Sequence, residues 1–206
     1  VIPSTIDGYP VVAIGESAFF DCDTLVGVVM PESVTMVGTE AFCDCTSLES
    51  VDMPGVTVIE SYAFGDCYSL REVNMPRIEI INENSFSCCD SLTDILVADD
   101  NEYFSTQDGV LLNKSKTVLV LYPSGKSETS YTAPDSVLEI GKNAFFGNQT
   151  LTTVNLPNVI TLGTSAFDSC YYIEKITMPN VETVGYEAFD YCHTLKAVDI
   201  PKAKSI

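Results

Sequence analysis

The chain has 206 residues, of which 46% are hydrophobic, and it carries 29 acidic but only 10 basic side chains. The resulting net charge of −19 argues against binding to nucleic acid, whose phosphates are neutralised by lysine and arginine, and against docking on an anionic membrane surface. No run of about 18 apolar residues is present, so we predict no direct membrane insertion.

One phenylalanine motif recurs along the chain, in most cases every 22 or 23 residues. The motif is an alanine or serine followed by Phe19, Phe42, Phe64, Phe86, Phe145, Phe167 or Phe189. A cysteine follows three residues later, at Cys22, Cys45, Cys67, Cys89, Cys170 and Cys192, and Asn148 takes that place once. A fixed period of about 20 to 30 residues is typical of a solenoid, in which each repeat buries its apolar positions against its neighbours.

Each repeat predicts three elements in the same order. A short extended segment such as 34–38 comes first, and a compact piece such as 39–45 then suits one helical turn. A strand ending in proline follows, as in 70–76, where alternation places Val73 and Met75 inward and Asn74 outward. The proline cannot donate a ladder hydrogen bond and ends the strand. We therefore predict one parallel strand per repeat, connected by short helical turns.

The step from Phe86 to Phe145 is longer, at 59 residues, and predicts an insert. Asp108-Gly109 lies between two apolar runs, which is typical of a β-hairpin. We interpret residues 95–133 as modified rungs with this hairpin-like insert, inside a single domain spanning 1–206. Both ends of the sequence fall inside a repeat, so we expect the array to continue beyond them.

Residues 184–201 read Val-Gly-Tyr-Glu-Ala-Phe-Asp-Tyr-Cys-His-Thr-Leu-Lys-Ala-Val-Asp-Ile-Pro. This pattern, repeated along most of the chain, resembles the BspA-like leucine-rich repeat family. The resemblance implies an α/β-type leucine-rich repeat solenoid with a right-handed superhelix and one concave parallel strand per repeat. It also implies an extracellular or cell-surface protein of a host-associated microbe that acts in adhesion.

The cysteine column, together with Asn148, is interpreted as a buried structural ladder of free thiols, because parallel Cβ directions fit disulfide geometry poorly. Cys43 and Cys88 lie off this column, and a disulfide between them or a reactive thiol at either remains an alternative. The only histidine is His193 and there is no Cys-x-x-Cys pair, so we predict no metal and no cofactor. An enzyme would have to use Cys43 or Cys88, and we predict no catalytic residue.

We expect a monomer that binds a protein or glycan ligand through the concave strand face, because extended concave surfaces are what solenoids use. The candidate binding residues are Asp52, Asn74, Asn155, Thr177, Asp199, Arg71 and Lys175. The alternative function is a passive spacer within a larger surface protein.

Overall fold

The computed structural model describes residues 1–204, and every regular element in them is a β-strand. The chain divides into two compact units, Val1–Gly109 and Val110–Ile206, which we call unit 1 and unit 2. Within the described residues, no helix is long and apolar enough to cross a membrane.

The strands are two to four residues long. In unit 1 they are β1 (Thr5–Ile6), β2 (Tyr9–Pro10), β3 (Ala13–Ile14), β4 (Gly27–Val29), β5 (Met36–Val37), β6 (Ser50–Asp52), β7 (Val58–Ile59), β8 (Glu72–Asn74), β9 (Ile80–Ile81), β10 (Asp94–Leu96) and β11 (Phe104–Gln107). In unit 2 they are β12 (Val110–Asn113), β13 (Val118–Leu121), β14 (Ser130–Thr132), β15 (Glu139–Ile140), β16 (Thr153–Asn155), β17 (Thr161–Leu162), β18 (Lys175–Thr177), β19 (Thr183–Val184) and β20 (Ala197–Asp199).

Each unit stacks its rungs into two parallel sheets. The long-strand sheet is built from three-residue strands, in the order β4-β6-β8-β10 in unit 1 and β14-β16-β18-β20 in unit 2. The short-strand sheet is built from two-residue strands, in the order β3-β5-β7-β9 in unit 1 and β15-β17-β19 in unit 2. In unit 2, β13 pairs parallel to β15 and antiparallel to β12, so the insert extends this sheet.

The predicted alternation along the long strands is present. In β8, Val73 is buried while Glu72 is exposed and Asn74 is half-buried. Val73 pairs in register with Val51 on one side and Ile95 on the other, so equivalent apolar residues stack from rung to rung. A strand-dominated solenoid of stacked rungs is therefore the architecture of each unit.

The predicted helical turns are wrong, because the compact pieces are turns whose amides bond to the next rung. The Phe42 amide donates to the Ala63 carbonyl at 2.8 Å, and the Asp44 amide donates to the Gly65 carbonyl at 2.9 Å. Glu40 and Asp44 have φ values of 54° and 59°, in the left-handed region. A right-handed helix cannot pass through such residues, since its hydrogen bonds require negative φ at every position.

The repeated phenylalanines form the centre of the core. Neighbouring rings stack with centroids 5.0 to 5.4 Å apart from Phe19 to Phe86 in unit 1. In unit 2, Tyr122 takes the phenylalanine position before Phe145, and their ring centroids are 5.0 Å apart. These stacks fill the core between rungs, whose spacing and register are set by the parallel strand pairing.

Candidate functional site

Three of the predicted binding residues come together on the long-strand sheet of unit 1. Asp52 and Asn74 are register partners, and the Asn74 Nδ2 donates to the Asp52 Oδ1 at 2.8 Å. Arg71 precedes β8, and its Nη2 lies 4.0 Å from the Glu49 Oε1. These polar groups are thus partly satisfied by one another across adjacent rungs.

The other four lie on the long-strand sheet of unit 2. Asn155, Thr177 and Asp199 are in register on β16, β18 and β20, and Lys175 begins β18. The structure therefore arranges the predicted residues as two groups, one in each unit, and each group follows a continuous row across parallel strands.

The cysteine column has a structural reason that the sequence does not show. The thiols of Cys45, Cys67 and Cys89 each donate to the carbonyl of the phenylalanine one rung earlier, at 3.1 Å. Cys170 and Cys192 make the same bond at 3.0 Å. All eight cysteines of the chain are free thiols. A small side chain with one donor fits this position, because it fills space and pairs a backbone oxygen.

At the Asn148 position the pairing is incomplete. The Asn148 Oδ1 accepts from the Leu151 amide at 2.8 Å, but the buried Nδ2 has no hydrogen-bond partner. Asn148 is fully buried, so this donor has been removed from water without compensation.

The surroundings of Cys43 and Cys88, the two cysteines off the column, make their thiols weak nucleophiles. Burial, together with nearby carboxylates, raises the pKa of the Cys43 thiol to about 11, and burial with Asp66 raises the pKa of Cys88 to about 11. Because the thiolate is the reactive form, Cys43 and Cys88 remain in the protonated, unreactive thiol form at neutral pH. Among the described residues, no group of three or more His, Cys, Asp or Glu side chains could hold a metal ion.

A row of outward aliphatic side chains crosses the short-strand sheet of unit 1. Ala13, Met36, Val58 and Ile80 begin β3, β5, β7 and β9 and are register partners from strand to strand. Met36 is 38% exposed and Ile80 49% exposed, while Ala13 and Val58 are half-buried. We call these four residues the aliphatic row. Within one repeat such a residue looks like a core residue, so its exposure follows only from the register.

A groove of about 560 Å³ lies beside this row, since its wall includes Thr57 and Glu79, the residues just before β7 and β9. Four carboxylates line it, those of Glu32, Glu79, Asp100 and Glu102, together with Arg77 and Tyr103.

Asn101 fixes the loop that completes this groove. Its Nδ2 donates to the Pro76 and Ile78 carbonyls at 3.0 and 2.9 Å, and its Oδ1 accepts from the Tyr103 and Phe104 amides at 2.8 Å. The loop is therefore tied to the rung before it, and Tyr103, whose side chain is 49% exposed, is held at the groove wall.

The acidic charge of the chain is concentrated in unit 1. Residues 1–109 contain 20 acidic and 2 basic side chains, for a net charge of −18, whereas residues 110–206 contain 9 and 8, for a net charge of −1. Unit 1 contains no lysine. A strongly acidic surface raises the local concentration of basic partners and repels acidic ones.

Comparison with known proteins identifies the repeat. A family model for the BspA type leucine-rich repeat region matches residues 5–108 and 123–206, in six copies. A search of curated protein sequences finds no significant match.

Three solved structures are similar. A leucine-rich repeat protein from Eubacterium ventriosum aligns over 97% of this chain and 59% of its own, with 26% identity and a TM-score of 0.79. The pneumococcal vaccine antigen PcpA aligns over 94% and 55%, with 26% identity and a TM-score of 0.80. The leucine-rich repeat protein of T. pallidum aligns over 94% and 76%, with 31% identity and a TM-score of 0.55. This chain therefore spans just over half the length of the first two proteins. It belongs to the BspA-type leucine-rich repeat family.

Proposed function

We propose that this chain is a non-enzymatic binding module that acts in adhesion at the surface of a host-associated microbe. The observation that carries the proposal is the pair of parallel sheets in each unit, which display outward side chains in fixed register. Such surfaces suit extended contacts, and leucine-rich repeats generally serve protein interaction. One of the similar structures is described as a vaccine antigen, which supports an exposed location.

The chemistry of the side chains also favours binding over catalysis. The thiols that an enzyme would need have pKa values raised by burial, and His193 is engaged in aromatic contacts: its ring stacks on Tyr171 at 5.6 Å and meets Tyr191 edge-on at 5.9 Å. A catalytic nucleophile is activated by a base within hydrogen-bonding reach, by a lowered pKa or by a metal ion. We therefore propose a ligand that is a protein or glycan and that is bound without being altered.

The test is to immobilise the purified chain and measure binding to a panel of host extracellular-matrix proteins and glycans. We expect saturable binding of at least one component by surface plasmon resonance. A passive spacer would bind none of them, and a chimeric surface protein in which these repeats are replaced by an unrelated solenoid of equal length would still mediate attachment of cells.

Two double variants test the face predicted from the sequence. Asp52→Ala with Asn74→Ala removes the outward pair of β6 and β8, and Asn155→Ala with Thr177→Ala removes the corresponding pair of unit 2. Loss of binding in only one double variant would assign the contact to the long-strand sheet of that unit. Unchanged binding in both would place the contact elsewhere on the chain.

A further inference from the structure

The aliphatic row of unit 1 is an apolar surface that the fold does not require. At the same positions in unit 2, β15, β17 and β19 begin with Glu139, Thr161 and Thr183, which are also register partners. The same short-strand sheet therefore forms with polar residues at the position of the row, and its exposed aliphatic side chains, Leu138 and Ile160, lie one residue earlier, just before β15 and β17. The aliphatic side chains of Met36 and Ile80 consequently need an explanation other than folding.

The row is long enough to contact an extended segment. Its four residues lie on adjacent parallel strands, which are about 4.8 Å apart, so the row is about 15 Å long. Contiguous exposed apolar surface on a soluble protein commonly marks an interaction site.

Carboxylates surround the row on both of its edges. Glu60 directly follows β7, Glu16 comes two residues after β3, and Glu79 precedes β9. The groove beside the row adds the carboxylates of Asp100 and Glu102. Across unit 1 only two basic side chains oppose 20 acidic ones, so the surroundings of the row are negative.

We propose that the aliphatic row and the adjacent groove form a docking surface for a polypeptide segment that carries both aliphatic and basic side chains. This inference rests on the proposed binding function and specifies its surface and its partner. The partner's aliphatic side chains cover Met36, Val58 and Ile80, and its lysines or arginines pair with the flanking carboxylates. Tyr103 at the groove wall offers a ring face to a cation.

Charge distinguishes a basic, partly aliphatic polypeptide from the other possible occupants of this surface. A second copy docked face to face would bring two sets of carboxylates together, and like charges across an interface oppose association. An acidic polypeptide, nucleic acid or anionic lipid would be repelled for the same reason. A basic amphipathic segment is the occupant that satisfies both the apolar row and the carboxylates beside it.

The experiment uses the whole chain and three synthetic peptides of equal length, measured by fluorescence anisotropy. The first peptide alternates leucine and lysine, the second leucine and glutamate, and the third serine and lysine. We expect the leucine–lysine peptide to bind about tenfold or more tightly than either of the others, because only it offers both apolar contact and positive charge. Its affinity should fall as salt is raised, since exposed charge pairs are screened.

The matched variants copy unit 2 into unit 1. Met36→Thr with Ile80→Thr introduces the threonine with which β17 and β19 of unit 2 begin, and we expect about tenfold weaker binding of the leucine–lysine peptide. The control is Ile160→Thr, which removes an exposed aliphatic side chain in unit 2 and should leave the affinity unchanged. A circular dichroism spectrum equal to that of the parent chain establishes that each variant is folded.

Several results would overturn the inference. These are equal binding of the serine–lysine peptide, unchanged binding in the double threonine variant, or a dimer of the free chain in light scattering that the double variant abolishes. If the double variant does not fold, the three peptides on the parent chain still decide. Binding of a host component that the leucine–lysine peptide does not displace would reject this surface while leaving the proposed function intact. Absence of any host component that binds would reject the proposed function itself.

Discussion

Unit 1 and unit 2 are built from the same rung, yet they carry net charges of −18 and −1. Inside the rungs the two units agree: both stack aromatic rings, and both use thiols that donate to the carbonyl of the preceding rung. Outside they differ at the first residue of each short strand, which is aliphatic in unit 1 and is Glu139, Thr161 or Thr183 in unit 2. Packing therefore fixes the inward columns, and the outward columns are where the two units can acquire different partners.

A second difference concerns the residue that follows each short strand. In unit 2 this is glycine in all three rungs, Gly141, Gly163 and Gly185. In unit 1 it is glycine after β3 and β5, whereas β7 and β9 are followed by Glu60 and Asn82. The Asn82 Nδ2 donates to the Glu60 Oε2 at 2.7 Å. The backbones approach closely at the glycine rungs of both units, as at Gly38 and Gly163, while the rungs of β7 and β9 accommodate side chains that pair with each other.

The largest expected effect is at this glycine column. A Cβ at Gly163 would lie 2.7 Å from the carbonyl carbon of Gly141 and from the Lys142 nitrogen, both backbone atoms that cannot move aside independently. We expect Gly163→Ala to lower the free energy of unfolding by about 3 kcal/mol, as measured by urea denaturation. The matched change in unit 1, Asn82→Ala, should cost only about 0.5 kcal/mol, the contribution of one partly exposed hydrogen bond. Equal losses would show that the glycine rungs and the rungs of β7 and β9 pack alike at this column.

The next effect concerns thiol reactivity. Cys43 and Cys88, the two cysteines off the column, both lie in unit 1, whereas both cysteines of unit 2 lie on the column. With pKa values of about 11 rather than 9.0, the thiolate fraction of each at pH 8 is reduced about 100-fold. We expect alkylation of both residues by iodoacetamide, followed by mass spectrometry, to be slower by about this factor than in urea. Rapid alkylation of either residue in the folded chain would instead favour a thiol enzyme located in unit 1.

The sequence is sufficient to predict the rungs, because the inward columns repeat with a fixed period. The prediction that Val73 and Met75 point inward follows from alternation alone, and both side chains are fully buried. The turn conformation is not predictable in the same way. Glu40 and Tyr62 adopt positive φ although neither residue favours it, because their neighbours bond to the adjacent rung, and that bonding is between residues distant in sequence.

The aliphatic row could not be predicted from the sequence. Each repeat contributes one outward residue to this row, such as Met36 or Ile80. In the sequence that residue cannot be distinguished from a core residue until the strand register is known. The long-strand residues Asp52 and Asn74 were accessible to prediction, because a polar residue between two buried ones marks the outward side of a strand. The pairing of Asp52 with Asn74 depends on the distance between rungs and on rotamers, which a single repeat does not specify.

The third prediction concerns the replacement of Asn148, the residue that interrupts the cysteine column. Asn148→Cys removes the unpaired Nδ2 donor, and the Leu151 amide can bond to the backbone carbonyl at position 148, as the Leu70 amide does to the Cys67 carbonyl at 3.0 Å. We expect unfolding by urea to show stabilisation of about 1 kcal/mol. The reverse exchange, Cys67→Asn, should destabilise by at least as much. Stabilisation in both directions would mean that the column does not prefer a thiol.

The smallest expected effect is on the pH dependence of stability, which reports the repulsion between carboxylates within unit 1. Burial, and then repulsion from Asp66, Asp21 and Asp23, raises the pKa of Asp44 above its usual 3.8. Folded protein thus holds this proton more tightly than unfolded protein does, so Asp44 contributes stability at low pH that is lost as pH rises through the raised pKa. Asp44→Asn should therefore stabilise at pH 7 by about a few tenths of a kcal/mol, reduced by salt, because Asp44 is partly exposed and its interactions are screened.

Thermal melting at several pH values measures this difference, which should shrink as pH falls below the raised pKa of Asp44, where the parent chain is protonated as well. The control is Asp135→Asn in unit 2, where acidic and basic side chains nearly balance and we expect little change at pH 7. If Asp135→Asn stabilised as much as Asp44→Asn, the gain could not be assigned to the concentration of carboxylates in unit 1. The charge contrast between the units would then affect partner binding alone and not the stability of the rungs.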